Sequence, residues 1–331
     1  MRKLGPFTCS PVSLGCMNVS HAYGNRPDTK TAERLLHEAL DMGYTMLDTA
    51  VLYGFGANET LIGNTLRKRR NEYVLASKCG MFKNDAGAKE INGRPEVIKK
   101  TCKDSLKRLQ TDVIDLYYLH RLDKDVPIEE SIGALSDLVA EGHIQSIGLS
   151  EVSATTLRKA HAVHPIAALQ TEYSLWCRNP EIAVLDACKE LDISFVAFSP
   201  LARAFLTGKL TDTSTLGEKD IRHGMPRFSA ENYPKNLELL KQIAEVAADE
   251  NCTMAQLALA WLLGKEDNII VIPGTTNSEH LKENFSAGEV SLSASAYERL
   301  DNIINNDTVV GPRYNAATQT EIDTEEFGDT P

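Results

Sequence analysis

Four side chains that can hold or move a proton stand at, or just beyond, the ends of apolar runs. Asp48 closes T-M-L-D, Tyr53 follows in D-T-A-V-L-Y-G, Lys78 closes V-L-A-S-K and His120 closes L-Y-Y-L-H. A charged residue that finishes a run built for burial costs free energy unless it is paired or used. A free phenol titrates near 10, and a cation within hydrogen-bond range lowers that value by stabilising phenolate. Lys78 is placed to be that cation, with Asp48 holding it charged and neutral His120 donating a hydrogen bond to a carbonyl oxygen. The set contains no nucleophile. It suits carbonyl reduction, in which hydride reaches carbon and a proton reaches oxygen. Singly, each residue has a plainer role as a turn cap, a solvated lysine or a core tyrosine, so the weight lies in their coincidence.

The elements that must position them alternate along the chain. Short β-branched runs at Pro11–Gly15, Thr45–Asp48, Tyr73–Lys78, Ile114–His120, Ile144–Leu149, Ala167–Thr171, Ser194–Phe198 and Ile269–Ile272 predict eight strands. Segments with helical periodicity lie between them, at Thr29–Met42, Asn58–Lys68, Pro95–Gln110, Ile128–Glu141, Ser153–His161, Pro180–Leu191, Asn236–Glu250 and Ser278–Phe285. Pro95 and Pro180 are expected in first helical turns. Strict alternation of this kind predicts a single-domain α/β fold, the (β/α)₈ TIM barrel, whose chemistry lies at the C-terminal ends of its strands. A doubly wound dinucleotide fold would need G-x-G-x-x-G after the first strand; Gly54 and Gly56 lack the third glycine and stand too late. Residues 1–310 are assigned to the barrel. A long polar loop, Ala202 to Pro234, follows the seventh strand, and Ala294–Asn305 predicts an additional helix. Residues 311–331, with Glu321, Asp323, Glu325, Glu326 and Asp329, read as an acidic, solvated and partly mobile extension rather than a binding element.

With 46 acidic and 35 basic residues the 331-residue chain carries a formal charge of −11, which repels nucleic acid. It has no signal-peptide core and no apolar stretch of membrane-spanning length, so a soluble, cytoplasmic protein with no membrane partner is expected. Seven scattered cysteines without a C-x-x-C pair fit a reducing compartment. His161 and His164 lack a companion ligand, and no metal site is expected. The basic residues Lys99, Lys100, Lys103, Lys107 and Arg108 read as one solvated helix face.

The stretch G-Y-T-M-L-D-T-A-V-L-Y-G, with G-A-N-E at Gly56–Glu59, S-L-K-R-L at Ser105–Leu109, D-L-Y-Y at Asp115–Tyr118 and A-L-Q-T-E-Y-S-L-W at Ala168–Trp176, closely resembles the aldo-keto reductases. The resemblance runs from Leu14 to about Asn305 and points to the bacterial, plant and fungal branch of general aldehyde and ketone reductases. It implies that Asp48, Tyr53, Lys78 and His120 are the catalytic tetrad of an NADPH-dependent oxidoreductase, reversible and binding cofactor before substrate. Ser150 and Gln170 would then contact the nicotinamide carboxamide, with Phe198 stacked on its ring and Ser199 and Leu201 beside it. Glu151 stands where relatives commonly have asparagine. Gly274, Thr275, Thr276, Asn277, His280, Glu283 and Asn284 follow the eighth strand, where a helix start favours an anion. Relatives selective for the 2′-phosphate often carry Lys or Arg there, so Lys209 and either Arg222 or Arg227 are assigned the missing positive charge. NADPH is favoured, with NADH possible. Tyr23, Phe55, Tyr118 and Trp176 are candidate walls of an apolar pocket for a small carbonyl or alcohol substrate.

Two alternatives share this fold. One is a cofactor-binding partner protein like the potassium-channel β subunits, which V-A-F-S-P-L-A and G-T-T-N-S-E-H-L-K-E-N resemble; the other is an NAD-dependent alcohol or sugar dehydrogenase. G-A-N-E and D-L-Y-Y-L-H-R favour the soluble reductases, as a monomer or a homo-oligomer.

Overall fold

The computed structural model of the protein describes residues 1–328 apart from 21, 25 and 85. Eight parallel strands carry the architecture: β1 (Leu14–Gly15), β2 (Met46–Asp48), β3 (Val74–Cys79), β4 (Ile114–Leu119), β5 (Ile144–Ser150), β6 (Ile166–Glu172), β7 (Ser194–Phe198) and β8 (Ile269–Val271). Each pairs with the next in chain order. The ring closes where Val12 bridges Val271, with Ser13 N donating to the Val271 carbonyl (2.9 Å) and Val271 N to that of Pro11 (3.0 Å). The first strand is shorter than expected, and Pro11, Val12 and Ser13 join the sheet only through this seam.

Alternation along the strands divides the apolar residues into two sets. Met46, Ala76, Leu116, Tyr118, Ala168, Val196 and Ile270 fill the barrel interior, while a larger cluster that includes Leu47, Leu75, Leu119, Leu149 and Leu169 lies between sheet and helices. An antiparallel hairpin, Arg2–Leu4 with Phe7–Cys9, plugs the N-terminal end of the barrel through Leu4 and Cys9. Only the opposite mouth is left for chemistry.

The outer helices are α1 (Thr29–Met42), α2 (Ala57–Leu66), α3 (Pro95–Leu109), α4 (Ile128–Ala140), α5 (Ala154–Val163), α6 (Val184–Glu190), α7 (Tyr233–Asp249), α8 (Met254–Leu263) and α9 (Ser278–Ser286), followed by α10 (Ala294–Ile303) and the short α11 (Ala316–Gln319). Pro95 opens α3 as expected, whereas Pro180 sits in a separate 3₁₀ turn ahead of α6. The expected single helix between the last two strands is two. It is α8, not α7, that packs on β8 and α9, while α7 packs on α10. Because α8 is buried on every side it has no amphipathic period to reveal it. A second hairpin, Met81–Lys83 with Lys89–Ile91, rises from the end of β3. None of the described helices is long and apolar enough to cross a membrane.

One glycine is required by this interior. A Cβ on Gly148 of β5 would lie 2.3 Å from the Tyr118 ring, which packs across it beneath the barrel mouth. Gly148→Ala should therefore destabilise the fold by at least the ~1–3 kcal/mol typical of overpacking. Urea unfolding followed by far-UV circular dichroism would show it as a lower midpoint with an unchanged slope.

Candidate active site

Asp48 and Lys78 reach the barrel mouth because β2 and β3 end there, and Tyr53 is carried over the mouth by a tight turn after β2. Gly54, Phe55 and Gly56 all adopt left-handed backbone in that turn, which folds the chain back before α2 begins. The Lys78 side chain has no solvent exposure. Its Nζ donates to Asp48 Oδ1 (2.5 Å), the Thr49 carbonyl (2.8 Å) and the Tyr53 hydroxyl (3.3 Å). Gln170 Nε2 occupies the other oxygen of Asp48, Oδ2, at 2.8 Å. His120 stands edge-on to Tyr53, ring centroids 6.0 Å apart. The sequence thus placed four residues on three strand ends, and the structure brings all four together.

Electrostatics set the protonation states. Burial favours loss of the Lys78 proton, yet Asp48 and Tyr53 overcome this and hold the ammonium above its ordinary 10.5. Burial also pushes the Tyr53 phenol above 10, and Lys78 opposes that rise without reversing it. The expectation of a net lowered phenol is corrected here: in a site this enclosed, desolvation outweighs a single cation that is itself shared with Asp48. Burial, then the charges of Arg121 and Lys78, keep His120 well below 6.5 and therefore neutral. Its buried Nδ1 has no partner among the described residues.

These groups open onto a cleft of about 830 Å³, within the range of small-molecule sites. Of the residues that the resemblance assigns to cofactor and substrate, Ser150, Gln170, Phe198, Ser199, Leu201, Lys209, Arg222, Gly274, Thr275, Thr276, His280, Glu283, Asn284 and Tyr23 line it. Gly274 makes the floor possible, since a Cβ there would lie 2.6 Å from Asn18 Oδ1 and 2.9 Å from the Gly15 carbonyl.

The sequence pattern of the Aldo/keto reductase family matches residues 11–305. The chain belongs to that family. It is 43% identical over 337 residues to aldo-keto reductase yakc of Schizosaccharomyces pombe, a protein named for NADP(+), covering 100% of this chain and 97% of the relative. It is 39% identical to probable aldo-keto reductase 1 of Glycine max, covering 94% and 91%. Among solved structures, the glycerol dehydrogenase AKR11B4 from Gluconobacter oxydans superposes with a TM-score of 0.85 at 27% identity, over 96% of this chain and 98% of that one. A Klebsiella pneumoniae aldo-keto reductase solved in complex with NADPH superposes at 0.71 and 26% identity, over 95% and 99%.

Several assignments need correction within this reductase. Trp176 is packing, not pocket wall: it is 4% exposed, stacked on Phe205 at 3.9 Å and edge-on to Phe228. Phe55 is 52% exposed, lies outside the cleft wall and carries Lys83 over its ring. Tyr118 is barrel core. Asn277 is the N-cap of α9, its Oδ1 accepting from Glu279 N and His280 N, so those backbone donors are already satisfied and do not face an anion. Arg222 is committed to Asp220 (2.7 and 2.9 Å), and Arg227 donates to the carbonyls of Gly311 and Trp176. Of the cations assigned to the phosphate end, Lys209 alone is on the cleft wall without an ion pair among the described residues.

The tail is not a solvated extension. Arg313 is buried between Glu151 and Glu172, and Tyr314 donates to Glu172 at 2.9 Å. Arg203 joins the same Glu172 oxygen at 3.0 Å and reaches the Tyr23 hydroxyl at 3.2 Å. Asp323 accepts from Ser153 N and Thr156 Oγ1, and Glu325 from Ala154 N, so the tail's acids sit at the positive end of α5. Tyr314, Asn315 and Thr318 become cleft wall. Asp329 lies outside the described residues. Glu151 is thereby explained: it holds the tail and is not part of the cleft lining. G-A-N-E likewise supports the site from behind. Asn58 accepts from Thr49 Oγ1 (2.6 Å), and buried Glu59 takes Ser77 Oγ (2.6 Å) and Arg108 Nε (2.7 Å), so Arg108 is not part of a merely solvated stripe. Polar side chains on the buried face of α2 were the sequence signal for this support.

Burial pushes the Glu172 carboxyl up, but Arg203 and Arg313 overcome it and hold it at about 2, against an ordinary 4.5. A depressed carboxyl contributes stability above pH 4.5 that is lost as pH falls toward 2. Arg313→Met should lower stability at neutral pH by ~3–5 kcal/mol, since it leaves buried carboxylates short of a partner. The same variant should show a shallower loss of stability between pH 4.5 and 2, measurable by urea titration across that range.

Proposed function

We propose that this family member reduces aldehydes and ketones to alcohols with NADPH, reversibly, at the Asp48–Lys78–Tyr53–His120 cluster. The observation that carries this is the hydrogen bond from a fully buried Lys78 to the Tyr53 hydroxyl at a cleft wall. The cofactor's binding residues fit the cleft: Ser150 and Gln170 offer polar atoms to it, Phe198 offers a ring face, and Lys209, Thr276 and His280 offer a cation and donors on the segments after β7 and β8. When bound, NADPH supplies hydride to the carbonyl carbon. Neutral His120 orients the carbonyl oxygen by donating a hydrogen bond. Tyr53, protonated because it is buried, gives that oxygen its proton, and Lys78 stabilises the phenolate left behind. Asp48 keeps Lys78 charged and fixed, and is itself held by Gln170.

Tyr53→Phe should leave NADPH affinity nearly unchanged and lower turnover by at least ~10²-fold, the contribution typical of a general acid. Near-normal turnover on a panel of aldehydes and ketones, followed by absorbance of the reduced nicotinamide, would sink this assignment.

The cofactor preference rests on few charges. With the Glu279 and His280 backbone donors of α9 occupied and Arg222 paired, Lys209 is expected to supply most of the selectivity for the 2′-phosphate. Lys209→Met should narrow the ratio of NADH to NADPH dissociation constants by roughly tenfold, in line with one charge-assisted contact. Thr276→Arg should widen it, and added salt should shrink the wild-type preference. Fluorescence titration with both cofactors tests each expectation, and a ratio unmoved by Lys209→Met would count against Lys209.

A further inference from the structure

Three arginines line the cleft, and two of them are paired. Arg203 meets Glu172 and Arg222 meets Asp220. Arg121 has no carboxylate partner among the described residues. Its Nη1 donates to two neutral oxygens, the His120 carbonyl at 2.7 Å and Ser150 Oγ at 3.3 Å. Its Nε is buried without an acceptor. The nearest acid on its own segment, Asp123, is turned to the backbone N–H groups of Gly93 (2.8 Å) and Asp125 (3.0 Å). Asp48 is fully occupied by Lys78 and Gln170. A cation is thus held half-buried at the reacting end of the cleft, one peptide bond from His120, with no carboxylate among the described residues paired to it.

A guanidinium is a planar fork that matches a carboxylate, and a pair formed in a partly desolvated mouth is worth more than one in water. Its place beside His120 sets where a substrate anion would lie. We propose that Arg121 is a specificity residue that binds a carboxylate on the substrate, so that the preferred substrates are oxo-acids whose carboxylate lies a few bonds from the carbonyl. This rests on the reductase function proposed above. Arg121 is distinct from the groups that would serve the cofactor phosphate, since Lys209 and His280 lie on segments after β7 and β8 while Arg121 follows β4. The unpaired charge also contributes to holding His120 neutral, which the carbonyl-binding role requires.

The test uses matched substrates that differ in charge: succinic semialdehyde against butanal, and 4-carboxybenzaldehyde against benzaldehyde, with the full-length enzyme and saturating NADPH. In the wild type the charged member of each pair should have the higher kcat/KM. In Arg121→Met the charged-to-neutral ratio should fall by about 10- to 100-fold, as loss of a charge-assisted contact predicts, with the fall carried by KM of the charged member. Arg121→Lys should restore part of the ratio. A ratio unmoved by Arg121→Met, or equal losses on charged and neutral members, would overturn the proposal. So would a loss of NADPH affinity by fluorescence titration as large as the loss on the charged substrate, which would assign Arg121 to the cofactor. No turnover of any of the four aldehydes by the wild type would overturn the reductase function and this inference with it.

Discussion

A lysine with no exposure at all sits at the mouth of this barrel, and its charge must be answered within a few ångströms. Removing an ammonium from water costs several kcal/mol even after relaxation, so Lys78 remains charged only because Asp48, the Thr49 carbonyl and the Tyr53 hydroxyl surround it. That arrangement dictates much of what lies around it. Asp48 must end β2 opposite Ala76 so that Lys78, two residues further along β3, can reach it, Gln170 must reach across from β6 to fill the second carboxylate oxygen, and the turn after β2 must return Tyr53 over the pair. The same enclosure keeps the phenol protonated and the imidazole neutral. A donor and an orienting group thus stand ready at neutral pH.

Two further polar networks hold this cluster in place. Behind it, Asn58 and Glu59 on α2 fix Thr49 and Ser77, the immediate chain neighbours of Asp48 and Lys78. Beside it, Glu151 and Glu172 follow closely on Ser150 and Gln170 and bind Arg313 from the tail. Chain termini ordinarily fray unless something ties them down. Here a buried ion cluster and the N-terminus of α5 do so, and the tail completes the cleft wall with Tyr314 and Asn315. The strand ends that carry the site are therefore also the anchors of the segment that closes it.

How much of this could be read in the sequence follows from which signals are local. The strands and most helices were legible because burial on two faces or on one stripe leaves a period in the residues, and the tetrad was legible because charges at the ends of apolar runs are rare. α8 was not, because Met254–Leu263 is apolar all round; its Thr253 and Gln256 capping box was the available cue. The N-terminal hairpin was missed because its strands are only three residues each. Asn277 was misassigned because a helix start offers the same donors to an anion and to its own cap. The tail misled for a different reason: an acidic segment normally remains solvated, and nothing within it announces that the positive end of α5 and the Arg313 cluster, set by tertiary contacts, will hold it.

The central claim is that the Lys78 charge, itself maintained by Asp48, acts directly on the Tyr53 phenol against the effect of burial. Tyrosine labelled with ¹³C at Cζ reports phenol ionisation by its chemical shift, and Tyr53→Phe identifies the resonance. In wild-type protein Tyr53 should remain protonated through neutral pH and titrate above 10, and in Lys78→Met it should titrate at a still higher pH, with Asp48 then adding to the rise. A Tyr53 resonance whose titration is unmoved by Lys78→Met, or moves to lower pH, would contradict the account.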